Sequence, residues 1–242
     1  MSGHNKWSTI KHTKGKADAI RGKVFTKIGK LITVAAKQGG ADPSMNPSLR
    51  DAIAKAKANN MPNDNIDRSI KKAIGDSSSE NYEDIIYEGY GAGGSAVIVE
   101  TLTDNKNRTA GEVRHIFDKS GGSLGTSGSV SFMFDRKGII AIEKSDNFSE
   151  DQLFEWILEA EADDMITSEE GYEVFTSTAN FSKVKNVLSD KNIEFASAEV
   201  EFVPQSYITL DENKLASFQK MLDKFDDNDD VQNVYHNVEN VE

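Results

Sequence analysis

The stretch GIIAIEKSDNFSEDQLFEWILEA, residues 138–160, decides the fold class because its pattern changes part-way along. Residues 138–143 form a short apolar run typical of a buried strand, and residues 150–160 repeat apolar side chains at helical spacing. The elements that continue this pattern are strands at 163–167 and 172–176, a helix at 181–190 and a strand at 196–203. The resulting order, β-α-β-β-α-β, predicts a ferredoxin-like domain.

The same order is predicted again on the two sides of this domain. Before it lie a strand at 95–103, a helix at 108–120 and a strand at 129–134. After it lie a strand at 206–210, a helix at 212–225 and a strand at 231–238. Joined together, these six elements also read β-α-β-β-α-β, so the first domain is expected to interrupt a second one of the same type.

Residues 17–75 predict three short amphipathic helices. The first ends at Gly39-Gly40, the second begins near Pro47, and Asn63 or Asp64 can cap the third. The predicted fold class is therefore α+β, a three-helix domain followed by two ferredoxin-like domains, the last inserted into the middle one. The expected domains are a flexible basic arm at 1–20, a helical domain at 21–75, an α/β domain at 80–134 plus 205–242, and the inserted α/β domain at 135–204.

The charge is divided unevenly along the chain. The 242 residues carry a formal net charge of −12, yet residues 1–75 hold fifteen Lys or Arg against five Asp. The remaining residues hold thirteen Lys or Arg against thirty-five Asp or Glu. Such asymmetry predicts that a polyanion binds at one end only, although lysines can also merely solvate a helical surface. Lys16, Lys23, Lys27, Lys30 and Lys37 share one face of the first predicted helix.

Several classes of site are disfavoured. The chain has no cysteine, which excludes disulfides and thiolate chemistry and fits a reducing cytoplasm. No apolar run approaches the length of a membrane span, and residues 1–16 do not resemble a secretory signal. The acidic run DDNDD, residues 226–230, is interpreted as a solvated turn rather than a metal site. We expect no catalytic residues, no metal and no cofactor.

Two glycine-rich stretches and two polar or aromatic ones admit alternatives. GYGAGG, residues 89–94, is followed by a strand rather than a helix, so a loop is favoured over a dinucleotide site. GGSLGTSG, residues 121–128, is interpreted as a mobile loop that can also contact phosphate. In TDNKNRT, residues 103–109, an asparagine can cap the following helix or contact nucleic acid. VSFMF, residues 130–134, is interpreted as core strand rather than a stacking platform.

Ten motifs, in order, span nearly the whole chain. They are GHNKW (3–7), IKH (10–12), RGKVFTK (21–27), ITVAA (32–36), NMPNDNI (60–66), YEGYG (87–91), LTDNKNRT (102–109), GG (121–122), GSV (128–130) and DDNDDVQNVY (226–235). With them the chain closely resembles the YebC family, which includes a mitochondrial translational activator of cytochrome c oxidase synthesis. Ala92 stands where the family usually has proline, and Thr13 where a basic residue is common.

The resemblance implies three domains and two assigned activities. Some members are described as DNA-binding transcriptional regulators, and others act on the ribosome at proline-rich stretches. The leading hypothesis is a non-enzymatic, cytoplasmic, monomeric factor on ribosomal RNA, and the alternative is a regulator that binds promoter DNA. Cations would contact phosphates and Trp7 would stack on a base. The candidate nucleic-acid-binding residues are Lys6, Trp7, Lys11, His12, Lys14, Lys16, Arg21, Lys23, Lys27, Lys30, Asn105, Asn107 and Arg108.

Overall fold

The computed structural model describes Trp7 and residues 18–75 and 81–241. Its helices are α1 (Asp18–Gly39), α2 (Pro47–Ala58), α3 (Asn63–Gly75), α4 (Lys106–Lys119), α5 (Glu150–Glu159), α6 (Phe181–Asp190) and α7 (Glu212–Asp227). Its strands are β1 (Glu83–Tyr90), β2 (Ala96–Thr103), β3 (Ser123–Leu124), β4 (Phe134–Glu143), β5 (Asp164–Thr167), β6 (Gly171–Ser177), β7 (Ser197–Pro204) and β8 (Val231–His236). These elements confirm the predicted α+β class.

Contacts divide the chain into two compact units. The described residues of Lys14–Ser131 and Ile208–Val241 form one, here called the bundle unit. Phe132–Tyr207 and Trp7 form the other, here called the inserted unit. The bundle unit holds both the helical bundle and the first sheet, while the four-domain division made from the sequence stays a prediction.

Helices α1, α2 and α3 form the bundle because each buries one apolar stripe. α1 buries Ile28 and Ile32, α2 buries Leu49, and α3 buries Ile66. Asn46 fixes the entry into α2, since its carboxamide accepts a hydrogen bond from the Leu49 N–H and donates to the carbonyl oxygens of Ala35 and Gly40. This single buried cap ties the end of α1 to the start of α2.

The sheet of the inserted unit has the strand order β5-β6-β4-β7, and all its pairs are antiparallel. Helices α5 and α6 cover one face, where Ile140, Val174, Leu153 and Leu188 form the core. The connectivity β4-α5-β5-β6-α6-β7 is the ferredoxin-like order predicted from residues 138–203. The prediction is confirmed for every element of this unit.

The first sheet has the order β3-β1-β2-β8, also antiparallel throughout. Each strand corresponds to one in the other sheet, with one difference in chain order. β1 takes the place that β6 holds in the inserted unit, although it precedes β2 in the sequence. The sheet is therefore ferredoxin-like in space, but its third strand comes from the beginning of the domain.

Two predicted strands of this domain are wrong. Residues 131–133 form a 3-10 turn before β4, and the side chain of Phe132 is exposed. In place of a strand at 206–210 there is one parallel bridge between Ile208 and Val238. β1, which the sequence analysis did not predict, occupies the position left open, paired with β2 over its whole length.

Helices α4 and α7 pack side by side on the first sheet. Phe117 of α4 and Phe225 of α7 meet edge to face, with ring centroids 5.3 Å apart. α7 ends at Asp227, and three residues separate it from β8, which begins at Val231. The loop between them therefore emerges beside the start of α4, where the candidate polar residues of 103–109 lie.

Candidate nucleic-acid interface

α1 presents three of the candidate cations as a single stripe. Lys23, Lys27 and Lys30 are spaced by four and three residues, which places them on one face of the helix. The grouping predicted from the sequence is thus present. The partner of these lysines differs from the one predicted, because it lies within the same unit of the protein.

The stripe meets the acidic loop, defined here as Asp226–Asp230. The Lys23 Nζ lies 2.6 Å from Asp227 Oδ1, and Lys27 Nζ donates to the Asp226 carbonyl oxygen at 2.8 Å. Lys30 Nζ donates to the Asp229 carbonyl oxygen at 2.9 Å and to Asp230 Oδ1 at 2.6 Å. The loop therefore supplies the lysines of α1 with carboxylate and carbonyl oxygens in place of the phosphate oxygens that were expected.

Asp230 is the centre of the contact. Its second carboxylate oxygen accepts hydrogen bonds from Arg108 at 2.8 Å, Thr109 at 2.7 Å and Thr103 at 3.1 Å. Burial alone would raise the pKa of Asp230, but the hydrogen bonds from Lys30, Arg108 and Thr109 outweigh it and lower the pKa to about 2. Asp230 is therefore an anion at neutral pH, and its hydrogen bonds join α1, α4 and β2.

The interpretation of residues 226–230 as a solvated turn is wrong for Asp230, which is 3% exposed. It holds for the outer end of the loop, where the side chain of Asp227 is 73% exposed. The difference arises because a buried carboxylate is tolerated only where cations and hydroxyls surround it, and α1 and α4 bring these from distant parts of the sequence.

The three lysines of the stripe differ in how much of their side chains is exposed to solvent. The side chain of Lys23 is 41% exposed, whereas those of Lys27 and Lys30 are 12% and 14% exposed. A phosphate can approach Lys23 beside Asp227. It can reach Lys27 or Lys30 only if the bundle separates from the acidic loop, which would leave Asp230 buried without one of its cations.

The candidate residues at the start of α4 have different roles: some form structural contacts and one is exposed. Asn105 is the N-cap of α4, since its side chain accepts from the Arg108 N–H at 3.1 Å. Arg108 forms ion pairs with Asp104 at 2.7 Å and with Asp230. Asn107 is exposed and lines an open groove together with His115 and Lys224. Of the three candidates in this stretch, Asn107 is the one without a structural role among the contacts described.

Trp7 is buried, with 4% of its surface exposed. Its indole lies against Gly171 at the start of β6, so closely that a Cβ at Gly171 would fall 2.4 Å from the ring. No face of the ring is open to a base in this arrangement. Stacking on nucleic acid would require Trp7 to leave its position in the inserted unit.

The other candidates fall into two groups. Arg21 is exposed on the first turns of α1. Lys6, Lys11, His12, Lys14 and Lys16 lie outside the described residues. The structure therefore places Lys23, Lys27, Lys30 and Arg108 together around the acidic loop, and Trp7 belongs to the other unit.

A second buried carboxylate organises the glycine-rich loop at 121–128. Glu88 of β1 is 5% exposed and accepts hydrogen bonds from the N–H groups of Gly128, Val130 and Ser131 at 2.7–2.8 Å. Burial raises the pKa of Glu88, but these backbone donors outweigh it and lower the pKa below its usual value. The loop predicted to be mobile is fastened at its end. The sequence signal is the glutamate at position 88, in the second half of β1 and directly before Gly89.

The described residues contain no group of three or more His, Cys, Asp or Glu placed to hold a metal ion. Nor does any described helix have the length and apolarity needed to cross a membrane.

Comparison with known proteins decides the family. A model described as the TACO1/YebC protein N-terminal domain matches residues 5–76, and one described as the TACO1/YebC second and third domain matches residues 82–238. The chain belongs to the TACO1/YebC family. The resemblance inferred from ten motifs is confirmed by matches that cover most of the chain.

Relatives within the family are close. A protein of Acetivibrio thermocellus is 58% identical over 238 residues, covering 98% of each chain, and one of Geobacter sulfurreducens is 56% identical over 239 residues, covering 99% of this chain and 96% of the relative. Both are named probable transcriptional regulatory proteins. The crystal structure of a conserved hypothetical protein from Aquifex aeolicus superimposes with a TM-score of 0.81 at 42% identity, covering 92% of each chain.

Proposed function

We propose that this chain is a regulator of gene expression that binds nucleic acid through residues 1–75 and performs no catalysis of its own. The observation that carries the proposal is the reversal of charge, fifteen Lys or Arg against five Asp in this part of the chain and the opposite balance beyond it. Cations gathered at one end attract phosphate, and the acidic remainder repels it. The names of the relatives support the regulatory role.

The contacts within the bundle unit narrow the set of phosphate-binding residues. Lys27, Lys30 and Arg108 are engaged with the acidic loop, and the first two are largely buried. The proposal therefore assigns phosphate contacts to Lys6, Lys11, Lys14 and Lys16, with Arg21 and Lys23 at the exposed end of α1. His12 and Asn107 are the candidates for contacts to sugar or base edges.

The leading target is ribosomal RNA, where the factor would help synthesis through proline-rich stretches. A DNA reader needs a helix whose side chains are free to contact base edges. On α3, the exposed helix that could enter a groove, Arg68 donates to Asn65 at 2.6 Å and is held along its own helix. The alternative, promoter DNA, is favoured by the names of the relatives.

A salt titration tests the nucleic-acid contact. Replacing Lys6, Lys11, Lys14 and Lys16 with Ala should reduce the slope of log K against log salt by roughly 3 to 4 for binding to a ribosomal RNA fragment or duplex DNA. The matched control replaces Lys119, Lys144, Lys214 and Lys220, which are exposed and lie in the acidic part of the chain. If both quadruple variants change the slope equally, the proposed location is wrong.

Two further measurements separate the targets. Competition between promoter DNA and random DNA should give a ratio near one for an RNA-directed factor, and a large ratio would favour the DNA alternative. Ribosome profiling of a deletion strain should show pauses at proline codons if the factor acts in translation. Altered transcript levels without such pauses would contradict that role.

A further inference from the structure

The inserted unit contains a long segment without cations. Residues 145–182 include eleven Asp or Glu and no Lys or Arg. One neighbouring cation, Lys183, pairs with Glu161 at 3.0 Å. All four carboxylates of α5, in contrast, are exposed, and the helix itself carries no Lys or Arg.

Two large apolar side chains project from this acidic helix. Phe154 is 52% exposed and Leu158 is 64% exposed. Since they are four residues apart, they are neighbours on one face of α5 and form a ridge, here called the α5 ridge. Leu153 and Ile157, on the inward face, are 0% and 3% exposed. The core of the unit is therefore complete without the ridge.

Carboxylates border the ridge. Asp151 precedes Phe154 by one turn and Leu158 by two, while Glu155 and Glu159 follow the two ridge residues directly. All three are exposed. A partner that covers Phe154 and Leu158 must consequently place its own charged groups next to three anions.

We propose that the α5 ridge docks a basic amphipathic segment of a protein partner. Apolar side chains of that segment would cover Phe154 and Leu158, and its Lys or Arg side chains would meet Asp151, Glu155 and Glu159. This combination of an apolar anchor and a complementary charged rim is how a helix is bound on an exposed apolar surface.

The carboxylates around the ridge argue against three other binding partners: nucleic acid, an anionic lipid surface and a second copy of this chain. Nucleic acid and anionic lipid surfaces are repelled by the same carboxylates that border it. A second copy cannot pair through the same face, because a symmetric contact would bring each set of carboxylates against its equivalent. The proposal is independent of the nucleic-acid proposal, since the ridge belongs to a different unit from the phosphate-binding candidates in α1.

A peptide titration on the full chain tests the proposal. The probe is a fluorescent 18-residue helix of Lys and Leu with all Leu on one face, and its controls are a scrambled peptide of equal composition and an all-lysine peptide. The variant Phe154→Gln with Leu158→Gln should weaken binding of the amphipathic peptide at least about tenfold. Replacing Met45 and Ile74 with Gln removes two exposed apolar side chains from the bundle unit and should leave binding unchanged.

A charge variant completes the test. Glu155→Gln with Glu159→Gln should weaken binding and flatten its salt dependence, whereas Asp118→Asn with Asp223→Asn, exposed in the bundle unit, should not. Equal binding of the scrambled or all-lysine peptide would overturn the proposal, because charge alone would then suffice. So would equal binding by the ridge variant, or a concentration-dependent dimer in sedimentation that the ridge variant abolishes.

Discussion

Two charged regions of this molecule, α1 and α5, differ in whether their charges are paired within the fold. In the bundle unit the lysines of α1 face the acidic loop, and the contact closes on Asp230 with a cation, a guanidinium and two hydroxyls around one carboxylate. In the inserted unit, α5 carries acidic residues without a cation among them and exposes Phe154 and Leu158. In the bundle unit the charges are paired within the fold, and in the inserted unit the charges of α5 stay exposed on the surface.

The contrast teaches that a run of like charges does not by itself identify a binding surface. The α1 stripe looked like a phosphate site because its partner is two hundred residues away in the sequence. At the outer end of the stripe Lys23 is 41% exposed although it pairs with Asp227, and the carboxylates of α5 are exposed on a helix that carries no Lys or Arg. A partner is expected where charge is left exposed.

The largest effect is expected from Asp230→Ala, which removes the shared anion and leaves Lys30 and Arg108 facing each other. Breaking a buried ion pair from one side should lower the stability of the bundle unit by about 3 kcal/mol. Hydrogen exchange of the α1 amides measures this. Fluorescence of Trp7 and Trp156 in urea reports the inserted unit and should not change.

Asp227→Ala is the matched control, since Asp227 pairs with Lys23 at the exposed end of the same loop. Little change in α1 exchange is expected there, because exposed ion pairs contribute little. Equal effects of the two substitutions would remove the distinction between buried and exposed ends on which the comparison depends.

The pH dependence of stability gives the next effect. The pKa of Asp230 is lowered in the folded chain to about 2. Its contribution is therefore complete above the unfolded value of about 4 and is lost as the pH falls through about 2. The difference in α1 exchange stability between the parent and Asp230→Asn should be constant near neutrality and shrink below about pH 4. A difference that grows on acidification would contradict the ion pair.

A smaller effect, of opposite sign, is expected on α5. Glu155 lies four residues from both Asp151 and Glu159, and like charges at this spacing are destabilising. Glu155→Gln should stabilise the inserted unit by about 0.5 kcal/mol at low salt. Urea unfolding of the inserted unit, followed by the fluorescence of Trp7 and Trp156, measures it. If Glu155→Gln instead lowers the stability of the inserted unit, then the carboxylate of Glu155 is stabilised by other groups within the fold.

The smallest effect on nucleic-acid binding is expected where the sequence predicted a large one. Replacing Lys27 and Lys30 with Met keeps most of their aliphatic length. It should leave the salt slope of nucleic-acid binding nearly unchanged, against a loss of about 2 if both residues contacted phosphate. A slope reduced by that amount would show that the bundle opens to bind, and the comparison between the two regions would fail.

Local patterns were sufficient for the inserted unit. Each of its strands and helices is continuous in sequence with its neighbours, and its core residues recur at the period of their own element, as Leu153 and Ile157 do in α5. The first sheet was harder to predict from the sequence, because β1 precedes β2 in the chain instead of following β3. β1 is stabilised by pairing with β2 on one edge and with β3 on the other. Its alternation is interrupted by Glu88, whose burial depends on amides forty residues away.

The candidate site shows the same division. The stripe of lysines on α1, the capping asparagine before α4 and the family itself follow from residues close together in the chain, because helical spacing and short motifs are local properties. What the stripe faces, which carboxylate is buried and where Trp7 lies depend on contacts between distant segments. Only the folded chain determines these, since the free energy of a charge depends on which groups surround it and not on its neighbours in sequence.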